Sequence, residues 1–280
     1  MHANHAYSIK GKDKKGDQVQ QLEKATLRDI WSPEALEAMN EKLESYTPAE
    51  IVTWALNEFG PDITLACSFG GVSGMVLLDM ALKVNPNVPV FYADTDFLFP
   101  ETYAFKDASA KRYGFQPLGF KSTLTPEEQA AKYGDALWAT DPDLCCELRK
   151  VKPAAEALKG HKAWIAGLRR DQGSSRRDIG ILEWDDKYDV VKVNPLANWN
   201  EYQVREYLAV NKVAYNPLND QGYPSLGCTH CTRQVKPGED MRAGRWAGFD
   251  KTECGLHLPL TIEDEKPSFL SVLKNLIPGS

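Results

Sequence analysis

The sequence predicts an α/β protein: a mostly parallel, twisted sheet with helices on both faces, followed by an irregular C-terminal segment. Three observations predict it. Short apolar runs alternate with helix-like stretches from Asp62 onward, a glycine-rich break joins the first run to the first helix, and periodicity fades from about Asn216, where Pro, Gly, Cys and Arg take over.

The elements follow in order. Residues 63–69 (ITLACSF) form a short apolar run, as a strand covered on both faces requires. After the glycine-rich break, 75–83 (MVLLDMALK) is helical and 88–95 (VPVFYADT) is a second strand, completing a strand, loop, helix, strand unit. Residues 101–114 read as a helix stopped by glycine, 115–120 as a short strand and 126–134 as a helix. Residues 143–160 (DLCCELRKVKPAAEALKG) read as a helix start, 162–168 and 188–196 as strands, and 200–211 as the helix after the second of these. In such sheets ligands collect where loops converge at the carboxyl ends of the strands.

A hydrophobic fraction of 42% over 280 residues supports one principal core. The expected organisation is a mobile N-terminal extension over 1–24, which is charged and lacks apolar periodicity, a main domain over 25–257, and a C-terminal tail over 258–280. No apolar run approaches the roughly 20 residues that cross a bilayer, and the opening MHANHAYSIKGKDKKGDQ is unlike a signal peptide, so a soluble cytoplasmic protein is expected. The net charge of −6 argues against nucleic acid or an anionic membrane as partner, while leaving room for a local basic pocket around a small anion. In a reducing compartment the six cysteines read as metal ligands, redox groups or buried hydrophobes in preference to disulfides.

Four constellations carry chemistry. Ser68-Phe69-Gly70-Gly71-Val72-Ser73-Gly74 joins a strand to a helix, where backbone N–H groups can surround a phosphate; alone, it is equally a tight turn. Cys145-Cys146 and Cys228-Thr-His-Cys231 supply four thiolates, enough for a [4Fe-4S] cluster or for tetrahedral zinc. Adjacent helical residues diverge by about 100°, which suits separate corners of a cluster better than one ion and favours iron-sulfur. Arg169, Arg170, Arg176 and Arg177 follow a strand, and Arg242 and Arg245 lie further on; guanidinium clusters at loops suit phosphate or sulfate. Cys254, in Glu253-Cys254-Gly255-Leu256-His257, has small and polar neighbours and reads equally as an inert thiol or a nucleophile. Cys67 is assigned to the core, His161 to the surface and His230 to the neighbourhood of the four thiols, and His257 stands out by position.

Together these residues resemble the phosphoadenylyl-sulfate and adenylyl-sulfate reductase family, in its iron-sulfur branch. The likeness runs from about Asp62 to His257, through Ser68-Phe69-Gly70-Gly71, residues 97–102 (FLFPET), Cys145-Cys146 with Arg149-Lys150, residues 167–172 (GLRRDQ), Asn194-Pro195-Leu196, residues 222–225 (GYPS), Cys228-x-x-Cys231 and residues 253–257 (ECGLH). The resemblance implies a sheet like that of the adenine nucleotide alpha hydrolases. It implies a [4Fe-4S] cluster on Cys145, Cys146, Cys228 and Cys231, Cys254 as nucleophile, and Lys150 between cluster and substrate. Ser68, Gly70, Gly71, Gly167, Arg177, Arg242, Arg245 and His257 correspond to positions lining the nucleotide, phosphate and sulfate sites. The implied reaction is attack of Cys254 on the sulfur of adenosine 5'-phosphosulfate, with loss of AMP, followed by release of sulfite by a dithiol protein such as thioredoxin. A homo-oligomer is compatible with this reading, which sets no stoichiometry.

One departure is visible: relatives read S-F-S-G-A-E-D at the loop, where this chain has Gly70, Ser73 and Gly74 at the third, sixth and seventh places. Side-chain hydrogen bonds there are expected to be replaced by backbone or water. The competing readings are a reductase for the 3'-phosphorylated nucleotide, an ATP pyrophosphatase-type ligase, whose S-G-G-x-D-S loop is broken here by Phe69 and Ser73, and a zinc-stabilised binding module.

Overall fold

The chain enters its fold through helices α1 (Leu27–Ile30), α2 (Pro33–Leu43) and α3 (Pro48–Phe59). Each starts where a hydroxyl, of Thr26, Ser32 or Thr47, accepts a hydrogen bond from the backbone N–H three residues on, which satisfies a donor the helix itself leaves free. This is a computed structural model, and it describes residues 25–257; the expected extension, 1–24, and tail, 258–280, lie outside the described residues.

From there the expected alternation appears: β1 (Ile63–Ala66), α4 (Val72–Val84), β2 (Val90–Asp94), α5 (Pro100–Tyr113) and β3 (Leu118–Lys121). Gly114, left-handed at φ 70°, ends α5 at the glycine that the sequence marks as its stop. Helices α6 (Pro126–Tyr133), α7 (Leu137–Thr140) and α8 (Pro142–Cys146) follow, then a single π turn, Glu147–Val151, and α9 (Lys152–Leu158). β4 (Ala163–Ile165), β5 (Leu182–Asp185), β6 (Val190–Val193) and α10 (Glu201–Val210) complete the regular structure.

The six strands lie in the order β3-β2-β1-β4-β6-β5, all parallel except β5, which pairs antiparallel with β6. α2, α3, α4 and α10 pack on one face with Ile63 and Leu65, and α9 covers Phe91, Trp164 and Val190 on the other. Burial on both faces is why the central strands read as continuous apolar runs and not as alternating ones. β5 escapes that signal because Glu183 and Asp185 stand on an edge strand, where their carboxylates face the buried Lys192 ammonium at 3.7 and 3.3 Å.

After β1 the chain winds outward through β2 and β3, then returns to place β4 on β1's other side. The loops following β1 and β4 therefore leave in opposite directions and open a crevice. Their approach is close: a Cβ on Gly167 would lie 3.2 Å from Ser73 Cβ, so a side chain there would push the start of α4 back by a few tenths of an ångström. Ile165 is fully buried beneath this point. Ile165→Ala is expected to lower unfolding free energy by about 2–5 kcal/mol with an unchanged denaturant slope. Urea titration measures it, and a loss below about 1 kcal/mol would mean that the core relaxes around the site.

Candidate active site

The crevice is a cavity of about 240 Å³ lined by Ser68, Gly70 and Gly71 after β1, Gly167 after β4, Lys150 in the π turn, and Arg242, Arg245, Cys254 and His257 from the irregular segment. Nine sequence-marked residues from five places in the chain meet here. Arg177 does not: it is exposed and outside the cavity, whereas the adjoining Arg176 is buried and lines it.

The loop after β1 is held from behind. Phe69 adopts φ 56°, a conformation uncommon for a residue with a side chain, and its ring is buried edge-on to Tyr92 at 5.8 Å. Asn216 Nδ2 donates to Phe69 O and Asn219 Nδ2 to Gly70 O, at 3.1 and 2.9 Å. α4 begins just after, at an extended Gly71, with no side chain capping its first turn. The free N–H groups and positive dipole end of a 13-residue helix thus meet the cavity, which suits an anion. Within this loop Ser73 Oγ accepts from Arg169 Nη1 at 2.5 Å, while Asp171 and Glu201 offset the charge of that buried guanidinium.

Arg245 stands over the Trp246 ring, 4.4 Å from its centroid, and donates from Nη1 to Ser225 Oγ and Leu226 O. Its buried Nε has no partner. A Cβ on Gly227 would fall 2.4 Å from Arg245 Nη2, so the guanidinium can lie flat only against glycine. Burial first, then the neighbouring Arg176 charge, pulls Arg242 down to about 10, which leaves it protonated at neutral pH. Burial also acts against the Lys150 ammonium, but the Cys228, Cys254 and Cys146 thiols more than offset it and hold Lys150 above its ordinary value. His257 stacks on Trp164 with centroids 5.3 Å apart and planes within 7°. Burial and the surrounding Arg176, Lys192, Arg242 and Lys187 charges push it well below 6.5, so at neutral pH it is a neutral imidazole. It offers no cation to Cys254; Lys150 and Arg242 do, since both interact electrostatically with that thiol.

The four other marked cysteines gather beside the cavity. Cys145 and Cys146 end α8, and Cys228 is tied to the β2–α5 loop by a bridge to Leu98 and by Thr229 N donating to Phe97 O at 2.8 Å. Cys145, Cys146 and Cys228 are buried and Cys231 half-buried. Burial, then the nearness of Cys228 and Cys231, pushes Cys145 up to about 11; burial is also the main cause that raises Cys146 to about 12. Among the described residues, no three His, Cys, Asp or Glu side chains converge as they would around one metal ion. Four neighbouring thiols are a donor set that a [4Fe-4S] cluster or a tetrahedral zinc can use.

Sequence reasoning missed the partner of Arg176. Its guanidinium grips the buried Glu253 carboxylate with two hydrogen bonds of 2.7 and 2.8 Å, and Arg242 reaches the same carboxylate at 3.0 Å. The available signal was an acidic residue beside Cys254 in a chain with an excess of loop arginines.

The family model for the phosphoadenosine phosphosulfate reductase domain matches residues 62–234. The adenosine 5'-phosphosulfate reductase of Lysinibacillus sphaericus (strain C3-41) is 48% identical over 209 residues, which cover 74% of this chain and 89% of that protein. The adenosine 5'-phosphosulfate reductase of Salinibacter ruber (strain DSM 13855 / M31) is 45% identical over 235 residues, 84% of this chain and 93% of that protein. Among solved structures, the phosphoadenylyl-sulfate reductase of Candida auris, in a phosphate complex, superposes with a TM-score of 0.64 at 35% identity, covering 73% of this chain and 98% of that one.

Burial alone would raise the Glu253 carboxyl, but Arg176 and Arg242 hold it below its ordinary value of 4.5. A carboxylate lowered on folding adds stability above the unfolded chain's value and loses it as pH falls through the folded one. The stability difference between wild type and Glu253→Gln is therefore expected to be full near neutrality and to shrink as pH drops below about 4.5. Urea unfolding across that range tests it; parallel acid limbs would contradict the ion pair.

Proposed function

Because the chain belongs to the family of phosphoadenosine phosphosulfate reductase domains, we propose that it reduces adenosine 5'-phosphosulfate to sulfite and AMP through an S-sulfocysteine on Cys254. The observation that carries this reading is the placing of the thiols: Cys254 stands half-exposed in the lining of a cavity rich in cationic groups, which Cys145, Cys146, Cys228 and Cys231 do not line. In this reading the reductase unit is residues 25–257.

The uncapped α4 N-terminus and Arg245, with its unpartnered Nε, bind the phosphosulfate and bring its sulfur to Cys254. The Cys254 thiolate forms a bond to that sulfur as the sulfur–oxygen bond to the nucleotide breaks, and AMP leaves with the electron pair. Lys150 and Arg242 stabilise the negative charge that spreads over the attacking sulfur and the leaving oxygen. A thiolate of a dithiol protein, thioredoxin by family, then attacks Cys254 Sγ and expels sulfite; its second thiol resolves the mixed disulfide and restores Cys254. Two electrons pass from dithiol to sulfur, and two thiol protons are released. A thioredoxin-dependent step and reduced thiols fit a cytoplasmic setting, and no helix among the described residues is long and apolar enough to cross a membrane.

Cys145, Cys146, Cys228 and Cys231 would hold a [4Fe-4S] cluster; their burial, their proximity and a donor set of four thiols fit that group. When bound, it supplies structure and a local field and no open iron, since each iron takes one thiolate. Lys150, in electrostatic range of Cys146, Cys228 and Cys254, then links the two thiol groups through charge.

Cys254→Ser is expected to abolish sulfite release, by at least about a thousandfold, while iron content and brown absorption persist. Cys228→Ser should lose the colour. Sulfite formation retained in the Cys254 variant, or a colourless wild type prepared without oxygen, would refute the respective assignments. The likeness to a phosphoadenylyl-sulfate reductase keeps one alternative in view. With reduced thioredoxin, kcat/KM is expected to favour adenosine 5'-phosphosulfate over its 3'-phosphorylated form by at least about tenfold, and the reverse order would transfer the assignment.

A further inference from the structure

An arginine whose nitrogens are all engaged by protein cannot also bind substrate without giving something up, and Arg176 is in that position. Its Nε and Nη2 grip the two oxygens of Glu253, and Nη1 donates to Gln172 Oε1 at 2.6 Å. Glu253 is equally spent: it is 5% exposed and receives Ser175 Oγ at 3.3 Å and Arg242 at 3.0 Å in addition. Arg245, by contrast, keeps a buried Nε without a partner in the same cavity. The cationic groups are thus divided, Arg176 serving the chain and Arg245 left open to a ligand.

What Arg176 holds is the residue immediately before Cys254. Further on, Leu256 packs on the core and His257 stacks on Trp164, and the other hydrogen bonds to this segment run to main-chain oxygens: Arg242 Nη2 donates to Thr252 O and Lys187 Nζ to Gly255 O, at 2.7 and 2.8 Å. Such contacts fix a strand of chain but depend little on its side chains. Glu253 supplies the directional, two-point anchor, and the Cα of Cys254 is only about 3.8 Å further along the backbone.

Resting on the reductase reading above, we propose that Glu253 is a positioning residue for the reaction: its carboxylate docks the Cys254 segment on Arg176 and so sets where the thiol meets substrate. The division of labour follows. Arg176 sets the nucleophile's place while Arg245 and the helix terminus take the anion, so loss of Glu253 slows the attack without weakening nucleotide binding in proportion. It also frees the thiol to reagents in solution.

The test uses Glu253→Gln in the iron-loaded enzyme, which keeps the side chain's shape and removes its charge. AMP affinity and iron content are expected to stay within about twofold, while single-turnover formation of the S-sulfo enzyme falls by at least about tenfold, the scale on which misplacement of a reacting group acts. Iodoacetamide labelling of Cys254, located by peptide mass, is expected to accelerate by at least about fivefold, as a local opening would allow. Arg176→Gln, which removes the anchor from the other side, should give the same acceleration and serves if the first variant folds poorly. Unchanged labelling in both variants would overturn the proposal. So would AMP affinity lost in step with rate, since Glu253 would then be arranging the anion site and not the thiol. The labelling needs no substrate, so a wild type inert toward adenosine 5'-phosphosulfate would sink the reductase reading while the docking of Cys254 was still decided.

Discussion

Positive charge gathered away from water is costly unless anions or dipoles offset it, and this constraint governs the cavity between β1 and β4. Arg169 solves it with Asp171, Glu201 and the Ser73 hydroxyl, and Arg176 with Glu253. Arg245 is only partly provided for, because one of its buried nitrogens remains unpaired. The cavity therefore has positive potential left over at the end of α4, where backbone N–H groups are also unspent. An anionic ligand completes what the chain leaves incomplete.

The sheet makes this arrangement accessible. β1 and β4 are neighbours in space but are separated in sequence by two further strands and six helices, so their loops diverge and leave a crevice that neither could form alone. The irregular segment then closes over it, using Arg245, Cys254 and His257 as contact points. Its irregularity has a purpose in the proposed chemistry, because a nucleophile that must serve two reaction partners is better carried on a docked strand of chain than within a helix.

Much of the scaffold was legible. The unit from β1 through β2 reads directly, because parallel strands buried on both faces need unbroken apolar runs, and Gly114 marks the end of α5. β5 was not legible: Glu183 and Asp185 make it look like a linker, and only pairing with β6 makes it a strand. The N-terminal helices carried a signal that went unused, since Thr47 and Glu50 form a reciprocal cap at the start of α3. At the site, glycines, cysteines and arginines are recognisable by type, and most converge. Arg176 and Arg177 could not be told apart from the sequence, because adjacent residues on a tight turn point to different sides and only packing decides which one faces inward.

The sequence by itself determined the alternating architecture, the two pairs of clustered cysteines, the lone Cys254 and the abundance of cationic side chains, because each is written in residue type and local spacing. Only the tertiary structure decided which charges pair. Glu253 beside Cys254 reads locally as a repulsive neighbour of a thiolate, yet in three dimensions it is bound by Arg176, 77 residues away, and His257 loses its proton to burial among lysines and arginines. Electrostatic interaction depends on distance through space and on loss of water, and neither quantity is carried by the order of residues along a chain.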